Sequence, residues 1–162
     1  MKWGEKPEGD DIVRIETKVP GEGGYYHVYL YARQLPGDFF EVLSIPHQGN
    51  AACAGDIVEA EYGNRPGAES DIWVLGDVVC RKTYPVTLVY GGEGDAERIM
   101  TEMGRGLVDE GWRSEQPWPP VLVVAVPVAL SHLEAVEQLM AACKQSEIEV
   151  TCEADSFEEP LQ

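Results

Sequence analysis

Hydrophobic and polar positions along this chain change period near its middle, from alternation to steps of three and four. The longest near-continuous apolar run is Pro120-Val-Leu-Val-Val-Ala-Val-Pro127. A bilayer span needs roughly 20 apolar residues, so this run is too short to cross one. Bounded by prolines and rich in β-branched residues, it predicts a strand buried on both faces and therefore placed mid-sheet.

The flanking segments predict what covers it. Val86–Tyr90 is β-rich and is closed by Gly91-Gly-Glu-Gly94. From Asp95 to Glu110, apolar residues at Ala96, Ile99, Met100, Met103 and Leu107 form one helical stripe. Asp95 suits the N-cap and Gly111 the C-terminal stop, while Gly104 and Gly106 weaken the helix interior. Trp112–Trp118 alternates and then meets prolines, as an edge strand does. Ser131-His-Leu-Glu134 has the capping-box spacing and opens a second helix with Leu133, Val136, Met140 and Cys143 as its apolar side. Ile148–Asp155 alternates again. The order strand, helix, strand, strand, helix, strand predicts a ferredoxin-like βαββαβ unit, with two helices over one face of an antiparallel sheet.

The amino-terminal half contains β patterns and no helical one. Strands are expected at Ile12–Val19, Tyr25–Ala32, Phe39–Ile45, Gly55–Tyr62, Ile72–Leu75 and Val78–Arg81, with Pro46–Ala54 a loop or one short helical turn. Short strands joined by Gly and Pro turns point to a small barrel or a strongly bent sheet. The expected fold class is α+β: a small β-barrel-like N-terminal unit, residues 1–84, followed by a ferredoxin-like βαββαβ unit, residues 85–162.

Charge changes the functional picture. The chain has 162 residues, 44% of them hydrophobic, and carries 29 acidic against 12 basic side chains for a formal charge of -17. That field repels phosphate, so nucleic acid is not expected as a partner, whereas a basic protein is steered toward it. Solubility alone is the competing explanation. Cys53, Cys80, Cys143 and Cys152 include no C-x-x-C pair, and Cys80 and Cys143 fall on apolar faces, so neither zinc nor a disulfide framework is expected. Met1-Lys-Trp-Gly-Glu-Lys6 has no apolar signal core, so a cytoplasmic location is expected, without membrane association.

Little here points to catalysis. His47 and Cys53 lie close in sequence, but no nearby Lys or Arg favours a thiolate. Gly91–Asp95 lies where a phosphate loop could, yet it lacks the lysine and carries two carboxylates. His27 and His132 have no partner in their own segments, and Tyr25, Tyr26, Tyr29 and Tyr31 alternate between the two faces of one strand. No catalytic residue, cofactor or metal is assigned.

The carboxylates form two groups. Asp56, Glu59, Glu61, Glu69 and Asp71, with Asp77 after them, accompany the Gly55-Asp strand. Glu147, Glu149, Glu153 and Asp155 accompany the last strand, where Glu147, Glu149 and Glu153 share a face by alternation. Crowded carboxylates repel one another, and a basic partner would relieve that; the plainer role is to keep an edge strand from aggregating. The nine residues from Asp56 to Asp71 and from Glu147 to Asp155, Asp77 apart, are the candidate partner-binding set.

Four runs also resemble a known group: Phe40-Glu-Val-Leu-Ser-Ile-Pro46, Gly55-Asp-Ile-Val-Glu-Ala60, Trp73-Val-Leu-Gly-Asp-Val-Val79 and Thr83-Tyr-Pro-Val-Thr-Leu88. They are similar to an uncharacterised bacterial family of small acidic two-part proteins, a domain of unknown function. The likeness lies mostly between Tyr26 and Val126. It implies a β unit followed by an α/β unit and a bacterial origin, and no reaction. Where that family has a Gly-His-Ser-Thr-like link, this chain reads Arg81-Lys-Thr-Tyr84, so no role for that histidine carries over. The expected function is a non-enzymatic acidic binding protein, an immunity or antitoxin-like inhibitor that occludes a basic surface of a bacterial toxin or effector. The alternative is a small-ligand-sensing regulatory domain.

Overall fold

The computed structural model describes residues 6–21, 23–46, 52–63, 72–143 and 148–151, of which 19–21, 25, 26 and 149–151 as backbone only. The chain is a β-rich α+β protein that divides into two compact units, the first Lys6–Lys82 and the second beginning at Thr83.

In the first unit, β1 (Ile12–Gly21) and β2 (Gly24–Leu35) form a long antiparallel hairpin running from Ile12↔Arg33 to Gly21↔Gly24. The chain then reverses through Gly37 and Asp38, at φ 82 and 63, a backbone region where Gly and Asp are the tolerated residues. β3 (Phe39–Val42), β4 (Ile57–Gly63) and β5 (Ile72–Cys80) follow antiparallel to one another. A short parallel pairing, Ile15↔Trp73 and Glu16↔Val74, returns β5 to β1 and closes the barrel. Inward positions Ile15, Leu30, Ala32, Phe40, Val42 and Val58 fill it. The Trp73 ring meets Phe40 at 4.9 Å, tilted 62°, and meets Tyr62 at 5.0 Å.

The two strands expected at Ile72–Leu75 and Val78–Arg81 are one. Gly76 does not end β5; it sits at a register shift opposite Glu59. A Cβ on Gly76 would stand 3.2 Å from the Glu59 carbonyl oxygen, so the residue allows a close backbone approach that bends the strand without breaking it.

The second unit is a four-stranded antiparallel sheet in the order β7 (Arg113–Glu115), β8 (Val121–Pro127), β6 (Thr83–Tyr90), β9 (Ile148–Thr151). β8 has neighbours on both sides, and Val121 through Val126 are all buried, as their unbroken hydrophobicity requires. Leu122, Val124 and Val126 share a core with Val86, Leu88 and Tyr90 of β6. Over them lie α1 (Ala96–Asp109) and α2 (His132–Cys143), contributing Met100, Met103 and Leu107 from one and Ala135, Leu139 and Cys143 from the other.

The helix ends follow the capping chemistry. The Arg98 amide donates to Asp95 Oδ1 at 3.3 Å. Past α1, Gly111 takes φ 94, its amide donates to the Val108 carbonyl, and the Trp112 amide donates to the Leu107 carbonyl, a Schellman close. Ser131 and Glu134 bond reciprocally, Glu134 N–H to Ser131 Oγ at 3.2 Å and Ser131 N–H to Glu134 Oε2 at 3.4 Å. The buried side of α2 differs from expectation. Leu133 is 68% exposed, and the stripe runs through Ala135, Leu139 and Cys143. Small Ala135 lets the helix sit close on the sheet, and Leu133, in the first turn, then points away. Among the described residues no helix is long and apolar enough to cross a membrane.

Candidate functional site

Of the nine expected partner-binding residues the structure describes the side chains of three, in two different settings. Glu59 and Glu61 are exposed two residues apart on β4, and so on the same outer face of the barrel. Asp56 is wholly buried, which removes it from any docking face. Its carboxylate is a fastener: Oδ2 accepts the Cys53 amide at 3.0 Å, Oδ1 accepts the Lys82 amide at 2.6 Å, and Arg81 Nη1 lies 3.8 Å from Oδ2. The Gly55-Asp turn thus ties the start of β4 to the residues that leave the barrel. Glu69, Asp71, Glu147, Glu153 and Asp155 lie outside the described residues. Glu149 is described as backbone only, on edge strand β9 in register with Val89.

Around Glu59 and Glu61 the outer face of β4 and β5 combines charge with exposed apolar surface. Glu61 stands opposite Val74, which is 41% exposed, and Glu59 stands beside the register shift that carries exposed Asp77. Val79 farther along β5 is 52% exposed, whereas Tyr62 at the end of β4 alternates with Glu61 and lies on the other side, against Trp73. The outer face of β1 and β2 has the opposite character. Exposed Arg14, Lys18 and Arg33 lie there, with the Arg14 guanidinium 4.3 Å from the centre of the Tyr29 ring. Arg33 is matched locally by Asp11 and Glu41, at 3.5 and 3.2 Å. On the barrel strands, then, carboxylates among exposed valines occupy β4 and β5.

Two features escape a reading of the sequence. His27 does have a partner: its Nδ1 lies 2.7 Å from Oε1 of Glu16, whose side chain is only 3% exposed. The hairpin register, with Glu16 opposite Tyr29 and Lys18 opposite His27, places that carboxylate diagonally across from the imidazole. The second is an open cleft of about 790 Å³ in the second unit, between α1 and the β7–β8 turn. Met100 and Leu122 line it, with Gly104, Arg105 and Asp109 on α1 and Trp118 on the turn. Thr101 Oγ1 and Gln116 Oε1, 3.0 Å apart, join helix to strand at its edge.

The cysteines divide differently from expectation. Cys80 is exposed, whereas Cys53 and Cys143 are buried. Burial, helped by the Glu110 carboxylate, pushes the Cys143 thiol from 9.0 up to about 11, so it stays protonated and unreactive near neutrality. Cys53 sits in the turn held by Asp56, and His47, its expected companion, lies outside the described residues. Among the described residues no cluster of three or more His, Cys, Asp or Glu could hold a metal ion.

No family model and no curated protein matches this chain. Among solved structures, a hypothetical protein from Neisseria gonorrhoeae has a similar fold, with a TM-score of 0.57 at 12% identity over 89% of this chain and 95% of that one. At that identity the likeness concerns fold alone.

Proposed function

We propose that this is a non-enzymatic acidic binding protein that docks on a basic surface of another protein, in its most concrete form an immunity or antitoxin-like inhibitor of a bacterial toxin or effector. The observation that carries this reading is the outer face of β4 and β5, where Glu59, Glu61 and Asp77 surround exposed Val74 and Val79. Exposed apolar side chains supply area to bury, and the carboxylates around them select a cationic counterpart and speed its approach. A toxin that acts on nucleic acid or nucleotides offers such a basic cleft. The same proposal places the chain in the bacterial cytoplasm and in the two-part acidic family it resembles. It also takes the second unit as ferredoxin-like, supported by the antiparallel order β7-β8-β6-β9 with both helices sharing one core. The test is co-expression with the toxic product of an adjacent gene. The chain restores growth and co-purifies with the toxin, and the Glu59→Lys/Glu61→Lys double variant does neither while keeping its circular dichroism. An unchanged complex after that reversal, or no toxin beside the gene, removes the reading.

A second reading, a small-ligand-sensing regulatory domain, is favoured by the α1 cleft. Its volume of about 790 Å³ falls within the roughly 300–1,000 Å³ of small-molecule sites.

A further inference from the structure

Gly104 stands in the interior of α1, where glycine is a standing cost to the helix compared with alanine. Packing does not require it. A Cβ built there would meet Leu122 Cδ1 at 3.4 Å and Ser114 Oγ at 3.7 Å, ordinary contact distances, with nothing closer. What the missing side chain does is leave the lining of the cleft open beside Leu122.

Charge on the same wall is equally specific. Glu97, Arg105 and Asp109 line the cleft from α1, and among the described residues none of the three makes an ion pair. Arg105 and Asp109 are four residues apart, so they follow one another on the same side of the helix at about 6 Å along its axis. A cation and an anion held one turn apart, unspent on each other, suit a ligand that carries both charges close together. Apolar surface lies next to them in exposed Val108 and in Trp118 at 44% exposure, over buried Met100 and Leu122 at the floor.

We infer that the cleft takes a free α-amino acid with an apolar side chain. Its carboxylate pairs with the Arg105 guanidinium, its ammonium pairs with Asp109, and its side chain lies against Trp118 and Leu122 over the space left by Gly104. Arg105 offers the planar donor pair that a carboxylate accepts. Trp118 offers a broad surface to an aliphatic or aromatic group. Glu97, about two turns from Arg105 on the side away from Asp109, adds negative potential along the same wall that disfavours a bare anion. This inference rests on the small-ligand reading and names its ligand class.

The test is a nuclear magnetic resonance titration of the full chain with L-phenylalanine, followed at the Gly104 amide and the Trp118 indole N–H. N-acetyl-L-phenylalanine, which lacks the ammonium, L-phenylalaninamide, which lacks the carboxylate, and AMP serve as comparison titrants. Phenylalanine is expected to shift both signals, with Arg105→Gln and Asp109→Asn each weakening binding about tenfold, the loss of one charge-assisted contact. Gly104→Ala is expected to weaken it comparably by filling the lining. Gly106→Ala, which alters the same helix where a Cβ meets nothing within 4 Å, is expected to bind as the parent does. Equal binding of either blocked analogue, or of AMP in place of phenylalanine, overturns the amino-acid inference and leaves a small-ligand site standing. No shift at those two signals with any titrant up to about 10 mM, weaker than any affinity of use, overturns both.

Discussion

At the scale of single residues the informative groups are those whose surroundings reverse what their chemistry first implies. Asp56 follows a glycine at a turn and belongs by composition to an acidic surface, yet it is enclosed and bonded to two backbone amides. Its second amide donor, Lys82, lies 26 residues away, so no local pattern announces the burial. A buried carboxylate with its donors in place is tolerable, but removing it strands those donors. Asp56→Ala is therefore expected to lower unfolding free energy by about 3–5 kcal/mol, and Asp56→Asn, which keeps an acceptor, by about 1–3 kcal/mol, as read by urea denaturation. A loss below about 1 kcal/mol for alanine, typical of an exposed ion pair, would show that the carboxylate is not structural. Cys143 makes a prediction in pH. The folded chain raises its thiol to about 11 from 9.0, so it holds that proton more tightly than the unfolded chain does. The resulting stability is whole below pH 9 and is lost as pH rises toward 11, at up to about 1.4 kcal/mol per pH unit. Cys143→Ala should flatten the decline between those pH values, and an unchanged slope would assign it to other groups.

Elements were the most legible scale, because periodicity and caps are local. The buried run became β8, and the helix ends formed through contacts between residues three to five apart, Asp95 and Gly111 closing α1 and Ser131 with Glu134 opening α2. Failures came where a neighbouring element decides. Gly76 reads as a break because the approach of the Glu59 carbonyl is not visible in its own segment. Leu133 reads as core because hydrophobicity outranks size in a pattern, whereas in the folded helix Ala135 takes the place against the sheet. Gly106 tests propensity without tertiary cost: a Cβ there meets nothing within 4 Å. Gly106→Ala should stabilise the second unit by about 0.5–1 kcal/mol in the same denaturation measurement, and a loss of stability would mean that the position carries a constraint beyond helix propensity.

At the scale of the whole molecule, charge is legible as a sum and illegible as a place. The count of 29 acids does not distinguish Asp56, which is sealed, from Glu59 and Glu61, which are exposed. Nor does it show that exposed arginine and lysine gather on β1 and β2 while exposed carboxylates share β4 and β5 with valines. The amino-acid cleft was beyond reach for the same reason, since Gly104, Trp118 and Leu122 meet only in the fold. Placement also gives charge two separable consequences with opposite signs in salt. A net charge of -17 repels itself, and raising ionic strength from about 0.01 to 1 M shortens the screening length from about 30 to 3 Å, so the free chain should unfold at a higher temperature in salt. If docking depends on the β4–β5 carboxylates, the association rate with a basic partner should fall steeply over the same range, and the Glu59→Lys/Glu61→Lys chain should lose most of that salt dependence. Solubility as the whole purpose of the charge predicts the first effect without the second. Stopped-flow association rates across the salt series, set beside melting temperatures, therefore separate an acidic surface that meets a partner from one that only keeps the chain dispersed.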